Sequence, residues 1–471
     1  MEEDLAKALS DIRWIRNTFA PINKLHPELL ASIATSVNNP FGGNADCPDL
    51  PFFCATVCRK WRNSLLAFPW IWSHIDTSNP RHMKLYLPRS KQAPLHVNLG
   101  WMTPPDVFRQ RVIPERHRLR SFSITFKSGG VSHLDVTGSL VEPAESLRML
   151  NIQAVNNSLP IPAVTMETIS QFAPNITVLR LYDILTSLSS LRFPSLVKLL
   201  FYATALHTRT SEPDPTDLVE FLRHSPILEA LELYLPESPN LNAPIGTAAL
   251  HHLKYAAFDG YPTPSGLIGV TVLPYLRLPE GSFTIDVQTR ARGFTSCTSP
   301  LHSVFHLGHS ILPQQSITAV AIYIKDDPNG FYGHISICGE RNNWIRLNHS
   351  QILKLGKDPL SRLRDWLDPA HLDPLRRIQT LTLGLFEFTS DQEQCMEVLR
   401  SFLRGLDQVR VLNIYKMNVS LVVQILQPSE GTVLFPLLEE LKLRSYDPPE
   451  LTGSAIRDEG KRSCFALKDQ F

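Results

Sequence analysis

The chain carries almost no net charge: lysine and arginine number 46 against 45 acidic residues. A surface this balanced lacks the footprint that draws a protein to nucleic acid or to an anionic membrane. The one dense basic cluster, Arg109 to Arg120, is interrupted by proline and His117. Long apolar runs are missing as well; none approaches the roughly 18 residues that cross a bilayer. The start, Met-Glu-Glu-Asp, is acidic and has no apolar secretory region. Seven cysteines, an odd and scattered set, fit reduced thiols and not a disulfide framework. The expected compartment is therefore the cytoplasm, the nucleus or both. Cys47, Cys54 and Cys58 lie close together. They have neither a CxxC pair nor a histidine at metal spacing, so they read as structural thiols.

Signatures of chemistry are equally scarce. There is no GxGxxG after a strand and no GxxxxGK. Gly308-His309-Ser310-Ile311-Leu312 has leucine where a nucleophile elbow needs its second glycine. His302, His306 and His309 would share a helical face, but no glutamate accompanies them as in HExxH. Asp326-Asp327-Pro328-Asn329-Gly330 predicts a turn joining 322–324 to 331–332 in a hairpin. These gaps point away from an enzyme and from any cofactor or metal.

What the chain does have is proline and apolar residues. Its 37 prolines in 471 residues exceed the usual ~5% and are spread along the whole length, punctuating many short elements. A hydrophobic fraction of 43% supplies an ample core. The length suits several domains, or a small domain with a long repeat array. Near the start, Leu5, Ala8, Leu9, Ile12 and Ile15 fall at helical spacing. Pro27 and Glu28 open a second helix, whose apolar face of Leu29, Leu30, Ile33 and Val37 runs to about Ser36. The Asn-, Gly-, Pro- and Asp-rich stretch 38–50 predicts a loop. A single helical segment is then expected over 51–66, with Phe53, Val57, Trp61 and Leu65 on one stripe and Arg59, Lys60 and Arg62 opposite. After Pro94, the alternation Leu95-Val97-Leu99 predicts a strand.

A pattern of apolar-x-x-apolar-x-apolar then recurs. It stands at Leu119/Phe122/Ile124, Leu147/Leu150/Ile152, Ile176/Leu179/Leu181, Leu196/Leu199/Phe201 and Leu228/Leu231/Leu233, with a degraded copy from Leu253. It returns at Ile317/Val320/Ile322, Ile378/Leu381/Leu383, Val409/Leu412/Ile414 and Leu438/Leu441/Leu443, with weak copies near Phe283/Ile285/Val287 and Ile345/Leu347. Each copy predicts a short strand. Helices precede two of them: Asp214-Pro215-Thr216 starts one, and Ser390 with Glu393 has capping-box spacing. Phe221 precedes Leu228, and Phe402 precedes Val409, by the same seven residues. This is the signature of a solenoid. The rival is a non-repeating α/β domain, strongest over 240–375, where an insert or a distorted pair of units is expected.

Two resemblances follow from these residues. Leu25, Pro27, Glu28, an apolar helix, Val57-Cys58-Arg59-Lys60-Trp61, Pro69 and Trp72 stand in the order of an F-box. Leu85, Leu87, Arg89, Ser90, Pro94 and Leu95 match the segment that follows it in many fungal, especially mushroom-type, members. The chain departs at His26, where the family has a proline, and in the length of its 38–50 loop. The repeats are similar to leucine-rich repeats, without the usual asparagine after the strand. The implied fold is α+β or α/β, a small N-terminal helical F-box followed by an irregular leucine-rich-repeat-like solenoid. The expected order is a helix at 1–20, the F-box at 21–76, a linker at 77–110, repeats at 111–445 and a tail at 446–471.

The resemblance implies the substrate-recognition subunit of an SCF-type ubiquitin ligase, non-catalytic, bound through a Skp1-like adaptor to a cullin. Leu25, Pro27, Ile33, Val57, Cys58 and Trp61 would sit at or just behind the adaptor surface, with Trp61 and Trp72 as alternatives for the core. An unidentified client protein would meet the residues between the apolar positions: Arg148, Asn151, Arg180, Lys198, Glu229, Glu232, Lys254, Thr380, Asn413, Glu439 and Lys442. The alternative is an interaction scaffold with an F-box-like head and no ligase role.

Overall fold

The computed structural model describes residues 2–36, 50–79, 81–100, 103–127, 140, 142–155, 163–184, 188, 191–202, 215–234, 246–260, 262–263, 266–267, 272, 275–279, 284–291, 317–327, 330–339, 344–352, 364, 367, 377–387, 392–415, 419–427 and 434–444. They form a mixed α/β protein dominated by parallel strands. The chain divides into two compact units: 1–158 with 171–174 and 453–471, and 159–170 with 175–452.

The first unit opens with α1 (Glu2–Thr18), α2 (Pro27–Ser36), α3 (Leu50–Val57) and α4 (Arg59–Ala67). The single helix expected over 51–66 is thus two. Cys58 breaks it, standing extended at φ −159°, ψ 171° as the residue before α4. Tertiary contacts hold the break: Arg62 Nε reaches back to the Ala55 carbonyl at 3.1 Å, and Trp61 Nε1 donates to Asn23 Oδ1 at 3.0 Å. Parallel strands follow: β1 (His74–Asp76), β2 (Leu95–Leu99), β3 (Leu119–Lys127) and β4 (Met149–Val155). Their register aligns Ile75, Val97, Phe122 and Leu150, all buried. Strand β2 lies where the alternation after Pro94 predicts it. Buried Trp72 meets Tyr86 edge-on at 4.9 Å, carries Arg89 over its ring at 4.7 Å, and donates to the Leu65 carbonyl at 2.9 Å.

Helix α5 (Ala163–Phe172) spans the division. The second unit continues with β5 (Val178–Tyr182), β6 (Lys198–Tyr202), α6 (Pro215–Arg223), β7 (Ala230–Tyr234), β8 (Tyr255–Gly260) and β9 (Thr284–Ala291). These strands are parallel neighbours in that order, with Leu179, Leu199, Leu231, Ala256 and Ile285 in one register row. Strands β10 (Ile317–Asp327), β11 (Gly330–Gly339) and β12 (Trp344–Ile352) then form an antiparallel meander. The expected hairpin is there, with Asp327 opposite Gly330. Of the two alternatives expected over 240–375, an insert or a distorted pair of units, the strands show an insert, and the weak repeat copy at Ile345/Leu347 lies within it. Strand β12 pairs with β9, and β10 pairs with β13 (Thr380–Glu387), so the meander is inserted in reverse order between parallel neighbours. The chain ends, among described residues, with α7 (Gln392–Leu403), β14 (Val411–Tyr415), α8 (Val419–Leu426) and β15 (Glu440–Arg444), the strands again parallel.

One hydrogen-bond device recurs at the strand entrances. Two successive amides donate to one carbonyl of the preceding strand's entrance: 197 and 198 to Thr177, 229 and 230 to Val197, 254 and 255 to Glu229, 410 and 411 to Gln379, 439 and 440 to Arg410. A second device precedes it. The amides of Leu196, Leu228 and Leu438 close turns on the carbonyls of Phe193, Ser225 and Phe435, at 3.1, 3.2 and 3.0 Å. Pro194, Pro226 and Pro436 occupy the second position of those turns, where their fixed φ is pre-set. Three of the chain's 37 prolines do this one job. The phenylalanines expected at equivalent positions, Phe221 and Phe402, are both buried, as are Leu228 and Val409.

Candidate protein-interaction faces

The head face is built on α2, α3 and α4, which pack together. Helix α2 buries Leu30, Ala31 and Ala34 and leaves Leu29 and Ile33 exposed; α3 buries Ala55 and leaves Phe53 and Val57 exposed. Of the expected docking residues, Ile33 (40%) and Val57 (61%) are open to solvent. Leu25, Pro27 and Cys58 are half-buried. Trp61 lies in the core at 6% exposure, as does Trp72. The stripe expected from Phe53 through Leu65 is therefore split at Cys58, its first half facing solvent and its second half facing inward.

Asn23 explains the split, and sequence reasoning missed it. Nearly buried, it donates from Nδ2 to the Asn17 carbonyl at 2.6 Å and accepts from Trp61. Its own carbonyl accepts from Lys60 Nζ. Cys58 Sγ lies 3.9 Å from its side-chain oxygen. His26 pairs with Glu28 at the first turn of α2. Helix α1 touches α4 through Arg59, which reaches Ser10 Oγ at 3.1 Å and Asp11 at 3.6 Å. Leu5, Leu9, Ile12 and Ile15 of α1, and Phe19 just after it, stay exposed.

On the strands, most of the expected client-facing charges are held in ion pairs. Lys198 and Glu232 meet across two strands at 2.6 Å, both largely buried. Lys254 meets Glu229 at 2.8 Å, Arg410 meets Glu439 at 2.8 Å, and Lys442 meets Glu440 at 2.8 Å. Arg148 turns onto the carbonyls of Glu145 and Leu147, at 2.7 and 3.0 Å. Asn151 donates to Ser123 Oγ, and Asn413 to Thr382 Oγ1. Thr380 is half-buried on β13. Arg180 is half-buried on β5, its Nε without a hydrogen bond.

Three tyrosines that the sequence reading passed over share this face. Tyr182, Tyr202 and Tyr234 occupy one register row on β5, β6 and β7. Their ring centroids are 6.1 and 5.4 Å apart, each pair tilted by 46°. A signal for them exists: each follows directly on the last apolar residue of a repeat copy.

Among the described residues no group of three or more His, Cys, Asp or Glu could hold a metal, and no helix is long and apolar enough to cross a membrane. The His302–His309 cluster and Ser310 lie outside the described residues, as do Val37, Cys47 and the 38–49 stretch. No protein-family model matches the sequence, and no curated protein matches it significantly.

Proposed function

We propose that this chain is the client-recognition subunit of an SCF-type ubiquitin ligase. Its F-box-like head, 21–76, binds a Skp1-like adaptor and through it a cullin, and its leucine-rich-repeat-like body holds a client. The chain contributes proximity and orientation to a transfer carried out by other subunits, in the cytoplasm or nucleus.

One observation carries this reading. Of the eighteen large apolar side chains exposed among the described residues, thirteen lie at or before Trp70. A stable head that leaves Leu29, Ile33, Phe53 and Val57 in water is arranged to be covered, because such patches mark interaction sites. Helices presenting an apolar row to a partner groove are a recurrent way of covering them. The repeated strand entrances support the body half of the reading, since stacked units line their strands along one face.

Co-purification with the adaptor is the test. Val57→Asp and Ile33→Asp place a charge on the exposed face and should abolish adaptor capture while leaving thermal unfolding unchanged. Trp61→Ala should lower the melting temperature, because it empties a core position. Undiminished capture by both aspartate variants would rule the reading out.

A further inference from the structure

We infer that Arg180 anchors an acidic side chain of the client, carried on an extended segment that lies along the strand face of the second unit. The inference deepens the receptor reading above and rests on it for the role of this face.

Strand β5 alternates strictly. Leu179 and Leu181 are buried, and Arg180 and Tyr182 stand half-buried on the opposite face. Among the described residues, five arginines are half-buried. Four are engaged: Arg89 by the Trp72 ring, Arg116 by Glu142, Arg148 by two carbonyls and Arg400 by the Gln424 carbonyl. The side chain of Arg180 has no hydrogen bond, ion pair or ring contact, and its Nε is already cut off from water. A guanidinium placed this way carries a desolvation cost with nothing to offset it. Such donors are rare in folded domains, and an acceptor brought by a ligand removes the cost.

The neighbouring carboxylates do not answer it. Glu232 lies at the same level two strands away, roughly 10 Å at about 4.8 Å per strand, and Lys198 holds it at 2.6 Å. Asp183, past the end of β5, has interactions of its own. Leu200, the neighbour of Arg180 on β6, offers no side-chain acceptor. A segment that covers this face takes the remaining water from Arg180. A basic segment would add repulsion, and a purely apolar one would leave the charge buried and unpaired. A carboxylate satisfies it with two parallel bonds, which suit the planar fork of arginine. A phosphoryl group carries nearly two charges and would leave one unmatched, because the next cation, Lys198, is already held.

The spacing of the face defines the segment further. Tyr182 lies two residues along β5 from Arg180, about 6.6 Å, and continues into the ring row with Tyr202. Residues i and i+2 of an extended chain have the same separation and point the same way. The segment therefore fits as acid-x-apolar, with the acid on Arg180 and the apolar side chain on the rings.

The experiment measures fluorescence anisotropy of a labelled peptide of repeated Glu-Ser-Leu-Gly with the full chain. Parallel peptides carry glutamine or phosphoserine in place of glutamate. Glutamine keeps the size and removes the charge. The glutamate peptide should bind, and the glutamine peptide about tenfold more weakly or worse. Arg180→Gln should bring the glutamate peptide down to the level of the glutamine peptide. Arg180→Lys, which keeps the charge and loses the fork, should weaken it about threefold or more. Neither variant should lower the melting temperature, because the Arg180 side chain makes no bond among the described residues. A lower melting temperature in Arg180→Gln would make Arg180 a structural residue and overturn the inference. So would no binding of the glutamate peptide, equal binding of the glutamine peptide, or wild-type affinity in Arg180→Gln. A phosphoserine peptide bound about tenfold tighter than the glutamate one would overturn the choice of a carboxylate. Adaptor capture, measured on the same preparations, scores the receptor reading separately, since it depends on Ile33 and Val57.

Discussion

Single side chains decide more of this protein than its composition implies. Arg118 belongs to the basic cluster that the sequence displays, yet its guanidinium is buried. It donates to Glu115 at 2.8 Å, to Ser90 Oγ at 3.0 Å and to the Ala93 carbonyl at 3.0 Å. Neighbouring Arg116 pairs with Glu142, and Arg109 lies 3.7 Å from Asp106. Three of the cluster's five arginines are thus paired with carboxylates. Arg118→Met should cost about 3 kcal/mol, because it strands Glu115 and two further acceptors. The check is a lower urea midpoint at unchanged slope. Lysine should not rescue it, since one ammonium cannot span three acceptors set in a fork.

A second residue-scale case is the histidine pair of β1 and β2. His74 and His96 stack with centroids 4.6 Å apart and planes within 9°. Burial, and then the neighbouring His96, push His74 down to about 4. Burial and Arg120 lower His96. Both folded values lie below the ordinary value near 6.5. Between the two, the unfolded chain binds protons that the folded chain refuses, so stability is full above about pH 6.5 and falls as the pH drops toward 4. For His74 the loss is on the order of 3 kcal/mol. Chemical denaturation at pH 7.5 and 4.5 should show it, and His74→Gln should remove most of the difference between the two.

At the scale of elements, the sequence was legible wherever the period of apolar residues was set by one packed face. The strands at Leu179/Leu181, Leu199/Phe201 and Leu231/Leu233 stand where the pattern puts them, because alternation with one buried side admits no other register. The α3–α4 break was not legible. Residues 51–66 contain nothing after Pro51 that stops a helix, and the break comes from Asn23, some 35 residues upstream, capturing Trp61. The meander was half legible: its turn was clear, but pairing partners far apart in sequence leave no local trace. The candidate faces divide the same way. Exposed Val57 and Ile33 came from a motif, whereas the tyrosine row appears only once three strands are aligned. The turns before the strands allow a direct comparison. Leu196 is fully buried, so Leu196→Ala should cost about 2–5 kcal/mol. Pro194→Ala, at the second position of the same turn, should cost less than about 1 kcal/mol, through the unfolded chain alone. Paired thermal melts check the ratio. A larger loss for Pro194→Ala would mean that the turns, not the apolar rows, hold the strands.

For the molecule as a whole, two properties act together. Formal charge nearly cancels at +1, so little electrostatic repulsion keeps copies apart at neutral pH. Among the described residues, the exposed large apolar side chains are concentrated in the first seventy positions, which gives any self-association a preferred place to start. In isolation at low salt, the chain should therefore show a light-scattering mass that rises with concentration. The same face serves the proposed adaptor, so the two processes compete. Adaptor added in excess should return the mass to that of a single complex and raise the melting temperature, by the mass action of a ligand that binds only the folded state. Ile33→Asp combined with Val57→Asp should make the isolated chain monodisperse and, at the same time, blind to the adaptor. Loss of adaptor capture with self-association intact would place the sticky surface elsewhere, with α1 and its exposed Leu5, Leu9, Ile12 and Ile15 as the face to change next. Self-association abolished with adaptor capture intact would separate the two surfaces and remove the main physical support for an adaptor site on α2 and α3.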